Sequence, residues 1–267
     1  MATCAHKKRT CAITAAPKIV TLVRYPVKGL AGIAMPKFTL TAGECVPLDR
    51  AYAIEHGAKR FDALNPEWLP KTHFLQLMRH ERLASLELDF DESSHVLTLF
   101  RDRKQIARGT LKTKLGRQMI EQFLAAYIKA ELLGPPRIVS APGHSITDIA
   151  DKALHIVNLE TVRDLSRIVE LDLDPLRFRA NIYFEGLPAW EERRWLGKTI
   201  SCGTATLRFF KETARCEATS VDLKTAKRGL SIPATLQRTW GHTKFGLYAK
   251  VVSGGEVVPG NRIGLQM

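Results

Sequence analysis

The densest run of side chains able to do chemistry is RFRANIYF at residues 177–184. Strand alternation there puts Arg177, Arg179, Asn181 and Tyr183 on one face and Phe178, Ala180, Ile182 and Phe184 on the other. Two guanidiniums and an amide on one face form a rigid donor array, suited to a phosphate or to the carbonyl and nitrogen edges of a heterocycle. The same spacing fits the solvated face of an ordinary strand. In Tyr25-Pro26-Val27-Lys28-Gly29-Leu30 a lysine sits on a turn after a strand, and Gly29 lets backbone N–H groups come close to an anion. Asp49-Arg50 adds an arginine with a carboxylate beside it to orient it. Arg215-Cys216, flanked by Thr213 and Thr219, is the one place where a cysteine adjoins a guanidinium. That pairing favours thiolate, the form that ligates metals or attacks sulfur, so Cys216 is the candidate reactive cysteine. Phosphate-loop, HExxH and GxSxG patterns do not occur, which leaves nucleotide-triphosphate, histidine–zinc and simple serine-hydrolase chemistry without support.

Positioning these groups requires a framework, and its signals are mainly strand-like. Residues 19–25 are apolar and β-branched, and Pro26 limits them. Leu86, Leu88 and Phe90 alternate with acids, and Glu92-Ser93-Ser94 turns this strand into 96–100, a hairpin. Leu115, Met119, Ile120, Phe123, Leu124 and Tyr127 recur at helical spacing until Gly134-Pro135-Pro136 ends the helix and marks a domain boundary. Residues 153–157 form a strand, after which Asn158 caps a helix carrying Leu159, Val162, Leu165 and Val169. Further strands are expected at 178–184, 204–210 and 245–252, with Gly254-Gly255 turning into Val257-Val258. Short strands outnumber helices without a βαβ rhythm. The expected class is therefore α+β, mainly β, centred on β-barrels.

The 267 residues suffice for one large or two small domains, and 45% hydrophobic with 25% charged residues argues against disorder. A net charge of +13, from 40 lysines and arginines against 27 acids, implies attraction to nucleic acid, acidic lipid or a phosphorylated cofactor. The basic stretches lack the interleaved aromatics of a single-strand binder, so nucleic acid is not expected. No apolar run is long enough to span a membrane. The five cysteines are scattered without a CxxC pair, which suggests a reducing, cytoplasmic setting. Residues 1–18 are basic and acid-free and read as a disordered tail.

YPVKG (25–29), PLDR (47–50), RFRANIYFEG (177–186), AWEERRWLG (189–197), RCEATSVDLKTAKR (215–228) and FGLYAKVVSGGEVVPGN (245–261) together resemble the MOSC family, named for the C-terminal domain of molybdenum cofactor sulfurases. More narrowly, they resemble its two-part bacterial members related to YcbX and the mitochondrial amidoxime-reducing component. The resemblance implies an N-terminal MOSC-associated β-barrel domain over 19–134, packed on a MOSC β-barrel domain over 135–267, with molybdopterin held between them. Lys28, Gly29 and Arg50 would face the cofactor's pterin and phosphate, as would Arg179, Asn181 and Arg215. Cys216 would be both molybdenum ligand and catalytic residue, with Thr213, Thr219 and Asp222 in support. The implied reaction is two-electron reduction of an N-hydroxylated substrate by oxygen-atom removal. Its electrons would come from a separate ferredoxin- or cytochrome-type donor, since no cysteine follows Cys216 to build an iron–sulfur centre. Gly29 stands where the amidoxime-reducing relatives often have serine. The alternative reading keeps the cleft but makes Cys216 a persulfide carrier, or the protein a molybdopterin carrier meeting a cofactor-biosynthesis partner.

Overall fold

The computed structural model describes residues 16–57 and 60–265. Most of the expected tail, with Cys4 and Cys11, lies outside the described residues, and Lys18 already opens the first strand. The strands are β1 (Lys18–Arg24), β2 (Ile33–Met35), β3 (Phe38–Leu40), β4 (Ala53–Glu55), β5 (Glu87–Phe90), β6 (Val96–Arg101), β7 (Lys104–Thr110), β8 (Arg137–Val139), β9 (Leu154–Asn158), β10 (Ile182–Glu185), β11 (Thr199–Cys202), β12 (Ala205–Ala214), β13 (Lys244–Ser253), β14 (Gly255–Val257) and β15 (Ile263–Gly264). The helices are α1 (Lys114–Tyr127), α2 (Leu159–Val169) and α3 (Ile232–Trp240). None is long and apolar enough to cross a membrane among the described residues.

Each helix begins where a side chain can take an otherwise unpaired N–H group. Thr113 accepts from the Gly116 N–H at 3.1 Å, Asn158 from Glu160 at 3.1 Å and Ser231 from Ala234 at 3.3 Å. The α1 face lies against β7 so closely that a Cβ at Gly116 would stand 2.2 Å from the Thr110 carbonyl oxygen. Only a residue without a side chain permits that approach.

An eight-stranded sheet in the order β15-β11-β12-β13-β9-β10-β1-β2 forms the body of the molecule. Neighbours run antiparallel except β9 and β10. One face buries Ile19, Leu22, Ile156, Phe184, Leu207, Phe209 and Leu247 with Trp195. The other buries Val23, Val157, Phe178 and Phe245 beneath Val162 and Leu165 of α2 and Ile232 and Leu236 of α3. Burial on both faces drives assembly at about 25 cal/mol per Å2 of apolar surface. A three-stranded sheet, β5-β6-β7, packs on α1 around Leu97, Leu99, Ile120 and Leu124. Two-stranded ribbons β4-β8 and β3-β14 complete the structure.

The expected closed barrels are not found among the described residues. The large sheet curls until residues 260–263 meet the start of β1, with Ile19 N–H on the Asn261 carbonyl at 2.9 Å and Ile263 N–H on that of Pro17 at 3.0 Å. That contact is an isolated bridge between Lys18 and Arg262 with flanking backbone bonds rather than a continuous ladder, and β2 is left as an edge. Beyond the hairpin, the N-terminal portion contributes β1 and β2 to the large sheet and pairs its β4 with β8.

The expected strand at 178–184 is also corrected. Pro175–Phe178 is a 3-10 turn capped by the Asp174 side chain on the Leu176 N–H, and Arg179 follows in the left-handed region at φ 51°. The strand begins only at Ile182. Arg177, Arg179 and Asn181 therefore do not share a strand face.

Candidate functional site

The YPVK turn and the Leu-Asp-Arg segment are stapled to each other by backbone bonds. Lys28 N–H donates to the Tyr52 carbonyl at 2.8 Å, Tyr52 N–H to that of Pro26 at 3.1 Å, and Arg50 N–H to that of Tyr25 at 2.6 Å. The buried Asp49 carboxylate accepts from the Tyr25 N–H at 2.8 Å and pairs with the Arg50 guanidinium. Leu48 and Arg50 are both left-handed, at φ 60° and 50°. Backbone strain of this kind costs about 1–3 kcal/mol per residue and is held by the surrounding bonds. Its effect is to set the Lys28 and Arg50 side chains side by side.

The left-handed turn at Arg179 brings a third cation to them. Arg50 Nη2 donates to the Arg179 carbonyl at 3.2 Å. The two guanidiniums both stack on the Tyr25 ring, at 4.9 Å for Arg50 and 4.4 Å for Arg179. Cation–π contact holds the like charges in place. Burial works against the Arg50 charge, but Asp49 and Asp148 outweigh it and hold its pKa above the ordinary value. Burial lowers that of Arg179, and no carboxylate pairs with its guanidinium among the described residues.

Cys216 precedes a 3-10 turn, Glu217–Ser220, and its carbonyl accepts from both the N–H (3.0 Å) and hydroxyl (2.9 Å) of Thr219. The turn is tied to α3 through Glu217, whose carboxylate accepts from Ser220 and Ser231, each at 2.6 Å. Cys216 is partly exposed, whereas Cys45 and Cys202 are buried. Beside it, Arg215 Nη2 donates to the Phe178 carbonyl at 2.9 Å, and its Nε is buried without a partner.

These pieces converge on one open cleft. Lys28, Gly29, Arg50, Arg179, Asn181, Arg215 and Cys216 all line it, although they come from separate stretches of the chain. Thr213 and Thr219 do not. Both are buried, and Thr219 acts on Cys216 through the backbone bonds just described. Asp222 instead pairs with Arg177 and accepts the Lys224 and Thr225 N–H groups of its own turn. Asn181 is bound into the floor, its Nδ2 on the Val23 carbonyl at 3.2 Å and its Oδ1 taking the His155 N–H at 3.1 Å.

Sequence patterns missed the other wall: Lys71, Gln76, Asp148, His155 and Tyr248 line the same cleft. Asp148 lies in the irregular stretch between β8 and β9 and reaches Lys28 Nζ at 2.5 Å, while Nζ also donates to the Ile146 carbonyl at 3.1 Å. Desolvation by its neighbours would raise the pKa of Asp148, whose side chain is still 52% exposed, but Lys28, then Arg50 and Lys71, hold it well below the carboxylate range. Burial lowers the Lys28 pKa against the pull of Asp148. His155 is kept neutral first by burial and then by Arg215. The cleft thus sets Lys28, Arg50, Lys71, Arg179 and Arg215 against Asp49 and Asp148, a net positive site with one thiol on its wall.

The MOSC domain profile matches residues 133–264. No curated protein matches the chain. Among solved structures it is similar to YiiM from Geobacillus stearothermophilus, at 19% identity and TM-score 0.35 over 43% of this chain and 54% of that one. It is also similar to YuaD from Bacillus subtilis, at 13% identity and TM-score 0.44 over 94% and 98%. For YiiM from Escherichia coli the values are 21% and 0.33 over 43% and 54%. The chain thus spans about half the length of the YiiM chains it matches. The profile match covers the segment that carries Arg179, Arg215 and Cys216, so residues 133–264 of this chain are a MOSC domain.

Proposed function

We propose that the chain is a molybdenum-cofactor oxidoreductase that reduces N-hydroxylated compounds, with the Cys216 thiolate as the protein's ligand to the metal. One observation carries the reading: a partly exposed cysteine shares a cleft with cations that outnumber their carboxylates. Those residues fit the cofactor. Lys28, Arg50 and Lys71 supply charge for a phosphate, and the unpartnered Arg215 Nε is a buried donor awaiting an acceptor. A thiolate is the soft donor a thiophilic metal prefers.

When bound, the cofactor supplies the two-electron reduction. The protein's part is positional. Asp49 and Tyr25 fix Arg50, Thr219 fixes the backbone at Cys216, and the Phe178 carbonyl anchors Arg215 next to the sulfur. Neutral His155, with its ring nitrogen 3.5 Å from Arg215, adds no charge to a site already rich in cations.

The test is molybdenum and pterin analysis of protein made in a molybdopterin-synthesising host, alongside turnover of an N-hydroxylated amidine with a chemical electron donor. The reading requires near-equimolar metal and pterin, with turnover abolished in Cys216→Ala. Metal-free protein whose Cys216 instead gains one sulfur mass, lost on reduction, would favour the persulfide carrier.

A further inference from the structure

Gln76 is 6% exposed, lines the cleft, and has a side-chain Nε2 that is buried without any hydrogen-bond partner. A buried amide left in that state is destabilising, so its retention calls for a reason. Nothing in its own backbone supplies one. The Gln76 carbonyl accepts from the N–H groups of Arg79 at 3.1 Å and His80 at 2.9 Å, and Leu75 N–H donates to the Ile54 carbonyl at 2.7 Å. The backbone is thus fixed while the side-chain amide is unspent.

Its place relative to the cations is also fixed. A Cβ at Gly29 would fall 2.3 Å from the Leu75 carbonyl oxygen and 3.4 Å from Gln76 Cα, so residues 75–76 press directly on the turn that carries Lys28. Gly29, at φ 87°, is held to glycine by this contact as well as by its conformation. Gln76 therefore stands on the cleft wall next to Lys28, on the same lining as Arg179 and Cys216.

A primary carboxamide presents a donor and an acceptor side by side, the pattern that reads the edge of a heterocycle bidentately. A phosphate offers acceptors only and is already served by the neighbouring cations. Resting on the cofactor reading above, we infer that Gln76 is a positioning residue that hydrogen-bonds the ring edge of the bound pterin. The cations hold the anionic end, and the amide sets which way the ring faces.

Two variants of the full-length protein test this, Gln76→Leu and Gln76→Met, the second keeping the unbranched length. Calorimetry is run on ligand-free protein with 6-hydroxymethylpterin and, separately, with inorganic phosphate, and ligand-free melting is followed in parallel. Both variants should bind the pterin roughly tenfold more weakly than wild type while phosphate affinity stays within about twofold. Their ligand-free melting temperature should be equal to or above that of wild type, because an unpaired buried polar group has been removed. Unchanged pterin affinity in both variants overturns the assignment, as does a lowered melting temperature with equal loss of both ligands. Wild-type protein that binds phosphate but not the pterin overturns the cofactor reading itself, and this assignment with it.

Discussion

At the scale of single residues, the cleft is a problem of charge placement. Lys28, Arg50 and Cys216 were legible in the sequence because each stands in a short run whose neighbours have an evident task, whereas Arg179 was singled out for a strand face that it does not occupy. Pro26 and Gly29 make a turn, Asp49 orients Arg50, and Arg215 sits beside the thiol. Asp148, Gln76 and His155 were not legible. A lone acid in an irregular stretch, a glutamine after an apolar pair and a histidine inside an apolar strand each look like ordinary surface or core. Only tertiary folding shows that they face the same space. Asp148 has a consequence of its own, since it occupies Lys28 with a carboxylate where a ligand's phosphate would otherwise go. Asp148→Asn should therefore tighten binding of inorganic phosphate several-fold, to be read by calorimetry at fixed salt, on the order of the roughly 1 kcal/mol that partial relief of a competing charge provides. Weaker phosphate binding in that variant would mean that Asp148 holds Lys28 in its binding posture. Because the folded-state pKa of Asp148 is depressed, the stability it contributes is present above the ordinary carboxylate value and fades as pH falls through and below it.

At the scale of elements, periodicity identified most strands and helices but failed where local capping chemistry overrode it. The Leu115–Tyr127 pattern gave α1, and Asn158 caps α2 as its side chain predicts. Residues 177–184 have strand alternation, yet Asp174 and Pro175 start a 3-10 turn that runs into them, and Arg179 ends it in a left-handed conformation. That departure is what delivers Arg179 to the cleft. A second element-level device lies behind α2. Glu192 is 2% exposed, and its carboxylate accepts from Asn158 Nδ2 at 3.0 Å and Thr161 Oγ1 at 2.7 Å. Burial raises its pKa even so, with the Asn158 and Thr161 hydrogen bonds opposing. A raised acid stabilises fully below its unfolded value and loses that contribution as pH rises through the folded one. Glu192→Gln removes the charge and should raise stability by roughly 1 kcal/mol at about pH 8, with a smaller gain near pH 5, in thermal melts. A gain that shrinks as pH rises would contradict this.

At the scale of the whole molecule, the +13 charge was the coarsest sequence signal, and part of it is resolved into the lining of one cleft. The class, mainly β with a few helices, followed from short strands without a βαβ rhythm. The closed barrels did not, because sheet closure depends on pairings between distant strands that local patterns do not encode. The same long-range pairings predict cooperativity. β1 lies between β10 and β2 in the large sheet, with Ile19 and Leu22 at 1% and 0% exposure, so residues 135–267 alone would leave β10 an open edge and that core uncovered. The full chain should melt in a single transition, and the isolated segment 135–267 should fail to give a cooperative melt. A folded, cooperatively melting fragment would refute that coupling.

The cleft brings separate stretches of sequence to a single sulfur, and the account stands on that sulfur reaching a metal. X-ray absorption at the molybdenum edge, on wild-type protein and Cys216→Ser loaded in the same host, measures it most directly. The account predicts that the variant's metal has one sulfur neighbour fewer; the same sulfur count in both proteins would contradict it.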